Sequence, residues 1–255
     1  MRIRAEGLTD IGKHRDNNED SLFIDKEQSL YIVADGVGGQ PAGEVASRMV
    51  AEKFPSVLVG IRKNGTPDSC ELLDKAVRQV NHLLMAAAAD KPEWQGMSTT
   101  LVAAWCRSSK INIVNVGDSR AYLIREQNIE QLSEDHTVLA EQQRLGLAEE
   151  EQSSGMAHVL TRCIGLDTEV EACVGSIPAR NGDRILLCSD GLTDSLSEEV
   201  IRSVVLSTRT PGEGCRMLIE LANRNGGRDN ITVLLIYFDE ATLKTKISNL
   251  FGRRK

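Results

Sequence analysis

Five short acidic stretches hold the side chains of this sequence that could do chemistry. They are Arg15-Asp16-Asn17-Asn18-Glu19-Asp20, Asp35-Gly36, Gly117-Asp118-Ser119, Ser189-Asp190-Gly191 and Asp229-Asn230. Most stand where an apolar, strand-like run ends. An ionised carboxylate is costly to bury unpaired, so acidic residues at such places need a common positive partner, and a divalent metal cluster supplies one. Donors that are all oxygen favour hard cations, Mg2+ or Mn2+, and no cluster of His or Cys argues for zinc. Two such ions about 3.5–4 Å apart generate hydroxide from water and polarise a phosphoryl group. If the five stretches converge, the chemistry expected is metal-assisted hydrolysis of a phosphate ester, with the ester unspecified.

Taken singly, each stretch has a plainer reading. Asp35-Gly36 follows Tyr31-Ile-Val-Ala34, and Asp190-Gly191 follows Ile185-Leu-Leu-Cys-Ser189. Asp-Gly is a hairpin signal, yet a helix-like segment follows both, not a partner strand. A strand-terminal Asp projects its carboxylate, and the Gly lets the backbone approach closely enough for its carbonyl to become a ligand too. Asp118 alone reads as a turn residue, and Asp229 as part of the loop after Gly226-Gly227-Arg228. Asp16, Asn18, Asp20 and Glu27 imitate the spacing of an EF-hand calcium loop, but Ser21 stands where that loop needs Gly, and the flanks read as strands. The other reading of this segment gives Arg15 to an anionic substrate, because a planar guanidinium can bind two phosphate oxygens. Glu19 and Asp20 then belong to the surroundings of a metal.

These side chains need elements to position them. Leu22–Ile24 and Leu30–Ala34 read as strands, and Glu44–Leu58 as an amphipathic helix. Cys70–Ala89 reads as a second long helix with Leu72, Leu73, Ala76, Val77, Val80 and Leu83/Leu84 on one face. Thr99–Cys106, Ile111–Val116, Ala121–Ile124 and Ile129–Leu132 read as strands whose short turns, such as Arg107-Ser-Ser-Lys110, suggest antiparallel hairpins. Helix is expected at His136–Leu145, strands at Val170–Ile177 and Arg184–Cys188, helices at Glu198–Leu206 and Gly214–Asn223, and a last strand at Ile231–Phe238. Glu149–Met156 reads as a polar, mobile loop, and a short charged helix at Glu240–Phe251 precedes a basic tail. The order is not the alternation of a parallel sheet. Sheet packed on sheet, with helices on both outer faces, fits it better and lets strand ends gather along one edge.

With 255 residues and 41% hydrophobic content the chain can build a sizeable core. A net charge of −7 argues against a dedicated nucleic-acid binder. The N-terminus, Met-Arg-Ile-Arg-Ala-Glu, lacks an apolar signal region, and no apolar run approaches the roughly 18 residues of a membrane span. The expectation is a cytoplasmic protein. Six scattered cysteines without a C-x-x-C pair read as small core residues of a reducing compartment.

In order and spacing, Arg15-x-x-x-Glu19-Asp20, Asp35-Gly36-x-Gly-Gly39, Gly117-Asp-Ser-Arg120, Ser189-Asp-Gly191 and Arg228-Asp-Asn230 resemble the bacterial branch of the metal-dependent Ser/Thr protein phosphatases, type 2C or PPM. Gly96-Met-Ser-Thr-Thr100, Asp135-His-Thr137 and Val159-Leu-Thr-Arg162 support the resemblance, which runs from about Gly7 to Phe238. It implies an α+β fold, a four-layer αββα sandwich of two antiparallel β-sheets flanked by helix pairs. One catalytic domain would span 1–239, followed by the charged helix and tail at 240–255. It implies two Mn2+ or Mg2+ ions in an edge cleft: Asp35 bridging both, Gly36 adding its carbonyl, and Asp190 and Asp229 completing the first ion's shell. Glu19 and Asp20 would act through metal-held waters, Arg15 would hold the phosphate, and Asp118 would share a third ion with Asp190. The loop around Glu149–Met156 falls where the family carries a variable flap.

The implied reaction is direct attack of metal-activated water on the phosphorus of phosphoserine or phosphothreonine, with no phosphoenzyme. Partners would be phosphorylated proteins and a Ser/Thr kinase, and the protein would act as a monomer. One departure stands out: many eukaryotic members place a proposed general acid, His, where this chain has Val37. A poor alkoxide leaving group needs a proton. Water at the third ion is the first candidate source, ahead of His14 and His136. Two rival readings are a two-metal phosphodiesterase and a non-enzymatic pseudophosphatase or regulatory module. The acidic balance speaks against the first and the full set of carboxylates against the second.

Overall fold

Strands such as Leu30–Asp35 and Ile231–Asp239 are apolar at nearly every position and buried along almost their whole length, so they need cover on both faces. In the computed structural model, which describes residues 1–62, 70–147 and 158–240, a second sheet covers one face and helices the other. One antiparallel sheet has the order β1 (Arg2–Asp10), β10 (Ile231–Asp239), β9 (Arg184–Cys188), β6 (Arg120–Arg125), β7 (Asn128–Gln131). The other runs β2 (Asp20–Asp25), β3 (Leu30–Asp35), β4 (Leu101–Arg107), β5 (Lys110–Val116), β8 (Cys173–Pro178). The helices are α1 (Gly43–Arg62), α2 (Cys70–Ala89), α3 (Val138–Arg144), α4 (Asp190–Thr193), α5 (Glu198–Ser207) and α6 (Pro211–Arg224).

The strand period of two sorts side chains into three apolar layers. Leu30, Ile32 and Ala34 of β3 pack with Val50, Phe54, Leu73 and Val77 beneath α1 and α2. Tyr31 and Val33 point the other way, to Ile185, Leu187, Leu234 and Ile236 between the sheets. On the far side Leu186, Leu235 and Tyr237 meet Ile201, Val205 and Leu218 of α5 and α6. This is the four-layer αββα sandwich. Cys106, Cys188 and Cys215 fill small gaps in these layers, and burial pushes the Cys188 thiol up to about 12.

Several elements differ from expectation. β1 has no counterpart in the sequence reading: its charged alternation, Arg2-Ile-Arg-Ala-Glu6, hides an edge strand whose pairing with β10 runs from Arg2↔Asp239 to Asp10↔Ile231. β8 starts at Cys173 because Val170, though buried, packs beneath the helix pair without joining a ladder. α1 continues through Pro55 to Arg62, since Phe54, Val57 and Leu58 are all buried on its inner face. α6 starts three residues early, where Thr210 caps the Glu213 amide at 3.2 Å and Pro211 takes the first turn. Strands β4 to β7 form two hairpins, β4–β5 and β6–β7, one in each sheet. Ser108 and Ser109, both at positive φ, make the tight turn of the first. Gly117-Asp118-Ser119 therefore carries the chain from one sheet to the other. The expected loop at Glu149–Met156, the helix after Glu240 and the basic tail lie outside the described residues.

Candidate active site

Antiparallel pairing brings the five stretches together. β2 begins where β3 ends, with Asp20 directly opposite Asp35. β9 ends and β10 begins at the same edge, which places Asp190 and Asp229 side by side; β5 ends and β6 begins there too, around Asp118. A cleft of about 350 Å³ opens on this edge, lined by Arg15, Glu19, Asp35, Gly36, Val37, Asp118, His158, Asp190, Asp194 and Asp229 among others. Asp20 lies just beneath it, 7% exposed.

Close backbone approach builds the floor. A Cβ on Gly36 would lie 2.4 Å from the backbone of Gly43, and one on Gly191 would lie 2.1 Å from the carbonyl oxygen of Asn230. Only glycine fits either position, so the Asp35 turn rests on the start of α1 and the Asp190 turn on the Asp229-Asn230 pair. The Asp35 backbone is clamped from three sides: its N–H donates to Thr100 Oγ1 at 3.0 Å, and its carbonyl accepts from Thr99 Oγ1 at 2.7 Å and the Thr100 N–H at 2.8 Å. Asn230 ties the Arg15–Asp20 segment down. Its Oδ1 accepts from the Glu19 N–H at 2.8 Å, and its Nδ2 donates to the carbonyls of Ile11 and Asn17, each at 2.9 Å. Arg15 donates to Asp229 Oδ2 at 2.7 Å across the cleft mouth.

The electrostatics are those of a cation site. Burial, reinforced by Asp20, Asp190, Asp118 and Asp229, pushes the Asp35 carboxyl well above the usual carboxylate range. Burial and Asp118 do the same to Asp190. Burial raises Asp20 to about 6 and Asp118, with help from Asp135, to about 6. Glu19 moves the same way through burial and Glu44. Asp20 Oδ2 accepts from Ser189 Oγ at 2.8 Å, but Asp20 Oδ1 and Asp190 Oδ1 are enclosed with no donor at all. The Asp190 side chain is 21% exposed overall, so its two oxygens live in different surroundings. Buried acceptors without donors, among carboxylates that repel one another, fit divalent cations.

His136 does not face this cleft. Its Nδ1 accepts from the Gly117 N–H at 3.1 Å, and burial with the nearby Arg162 pushes its pKa down to about 4. It is a neutral ring that supports the Asp118 turn, and not an acid for a leaving group. His14 lies outside the cleft lining as well. Val37 is in that lining. No motif in the sequence marks His158, whose Nδ1 stands 3.8 Å from Asp190 Oδ2 and 3.7 Å from Asp194 Oδ2. In the sequence Thr99 and Thr100 belong only to the supporting segment Gly96–Thr100 and the start of a strand.

A two-sheet sandwich with an acidic cleft at one strand edge suits a metal-dependent hydrolase, and known proteins narrow the class. The family model for protein phosphatase 2C matches residues 13–221. The chain is 38% identical over 243 residues to the serine/threonine phosphatase stp of Listeria monocytogenes, covering 93% of this chain and 96% of that protein. Its structure resembles the serine/threonine phosphatase Stp1 of Staphylococcus aureus with a TM-score of 0.84 and 31% identity, over 94% of this chain and 96% of that one. It also resembles the catalytic domain of the serine/threonine protein phosphatase PstP in complex with two manganese ions, with a TM-score of 0.78 and 36% identity, over 93% and 99% of the two chains. The chain belongs to the protein phosphatase 2C family, in its bacterial Ser/Thr phosphatase branch.

Proposed function

We propose that this protein removes phosphate from phosphoserine and phosphothreonine residues of proteins, with Mn2+ or Mg2+ held at the strand-edge cleft. The observation that carries the reading is the pair of enclosed, donorless oxygens, on Asp20 and Asp190, inside a cluster that gathers carboxylates from five separate stretches. Asp35, the Gly36 carbonyl, Asp190 and Asp229 would hold two ions. Glu19 and Asp20 would orient water around them, and Asp118 with Asp190 would serve a third. Such ions, when bound, lower the pKa of water and polarise a phosphoryl oxygen.

The chain's own groups do the rest. Thr99 and Thr100 fix the backbone of Asp35, so its carboxylate is aimed before any ligand arrives. Asn230 anchors the segment that carries Arg15, and the Arg15 guanidinium, 41% exposed at the cleft mouth, would receive the phosphate. Ser189 donates to Asp20 Oδ2 and Asn230 accepts from the Glu19 backbone N–H, which leaves Asp20 Oδ1 for the cluster.

The wider reading is a single catalytic domain over 1–239 that works as a cytoplasmic monomer and opposes a Ser/Thr kinase. Among the described residues no helix is long and apolar enough to cross a membrane. The test is phosphate release from phosphothreonine peptides by the wild type and by Asp35→Asn and Asp190→Asn, with Mn2+, with Mg2+ and with chelator. Hydrolysis that persists in chelator, or in both variants, would refute the assignment.

A further inference from the structure

We infer that His158 supplies a nitrogen ligand to the ion shared by Asp118 and Asp190, which makes this position a mixed nitrogen–oxygen site unlike the all-oxygen pair beside it. The inference rests on the metal-dependent reading above and deepens it at one residue. One ligand atom from each of Asp118, His158 and Asp190 lies within 4.8 Å of the other two. Two donors on one ion at about 2.1 Å each stand at most about 4.2 Å apart. His158, with 60% of its side chain exposed, has the freedom to close the remaining half ångström or so. Asp118 is 8% exposed, and Asp190 turns Oδ2 toward the ring while its enclosed Oδ1 has no donor.

The plainer role for His158 is a surface ion pair. Its separations from Asp190 and Asp194, 3.8 and 3.7 Å, are longer than N–H···O hydrogen bonds, so neither contact consumes the ring nitrogen. The ring instead belongs to the lining of the cleft, with Nδ1 turned toward two carboxylates. An imidazole donor shifts a site away from Mg2+ and toward transition ions, so this position should discriminate between metals where its all-oxygen neighbours do not.

The test takes the full-length protein stripped of metal and titrates it with Mn2+, beside His158→Ala, His158→Asp and Asp118→Asn. Pulsed EPR reads nitrogen coupling to Mn2+, and calorimetry reads affinity. We expect imidazole nitrogen coupling in the wild type when the weakest ion binds. His158→Ala should lose that coupling and weaken that ion about tenfold or more, while the tighter ions stay. His158→Asp should recover the ion without nitrogen coupling and without a preference for Mn2+ over Mg2+. Thermal melts of each variant in chelator report folding independently. If the tighter ions bind but the wild type shows no nitrogen coupling, the histidine's role is overturned and the phosphatase reading stands. If no Mn2+ binds to the wild type, both fall.

Discussion

Replacing Asn230 by alanine should damage both the fold and the site, because one buried carboxamide holds three backbone groups. Asn230 is 4% exposed, and its bonds to Glu19, Ile11 and Asn17 measure 2.8, 2.9 and 2.9 Å. At about 0.5–1.5 kcal/mol net for each hydrogen bond, truncation should cost about 2–4 kcal/mol. That is survivable against a typical stability of roughly 5–15 kcal/mol. Asn230→Asp should be worse, since it turns the amide that donates to two carbonyls into a third acceptor facing them. The assay is denaturant unfolding in chelator, where ion binding cannot mask the loss, with the slope checked for constancy. Phosphopeptide KM is measured in parallel with Mn2+, and should rise as Arg15 loses its anchored segment. A loss under about 0.5 kcal/mol in Asn230→Ala, or an Asn230→Asp variant milder than Asn230→Ala, would refute the reasoning.

The pH response of the chelated protein has a fixed sign. Burial and mutual repulsion raise Asp20 and Asp118 to about 6, and push Asp35 and Asp190 well above their usual 3.8. The folded state therefore holds more protons than the unfolded one between about pH 4 and 7, so stability falls as pH rises through that window. Thermal melts should show Mn2+ raising Tm more at pH 7 than at pH 5; an equal rise contradicts the cluster's electrostatics. Asp118→Asn should slow phosphopeptide turnover about ten- to a hundredfold more than turnover of an aryl phosphate, whose leaving group needs no proton; equal losses would sink a role for the third position in leaving-group protonation. Arg15→Ala should raise phosphopeptide KM about tenfold or more with a smaller effect on kcat. A change confined to kcat would argue that Arg15 does not hold the ground-state phosphate.

Helix α2 and strand β9 have the boundaries that their apolar patterns announce, Cys70–Ala89 and Arg184–Cys188. Both are covered by their own faces, so local periodicity suffices to define them. β1 depends on β10 for its identity, and nothing in Arg2-Ile-Arg-Ala-Glu6 carries that dependence. The carboxylates were legible as residue types at strand ends. Their convergence depends on strand order, in which β10 and β9 separate β1 from β6, and pairing of distant strands leaves no local trace. His158 was illegible for the same reason: its neighbours Asp118 and Asp190 lie far away in sequence and meet it only across the cleft. In the sequence the buried Asn230 is only part of an Asp-Asn loop, because a staple shows itself only when its three partners are in place.

The most direct measurement of the central claim is calorimetric titration of Mn2+ into the metal-stripped protein at neutral pH, repeated with Asp35→Asn. The account predicts at least two ions bound by the wild type and loss of the tight pair in the variant, with its fold intact by circular dichroism. Absence of Mn2+ binding to the folded wild type, or undiminished binding by Asp35→Asn, would contradict it.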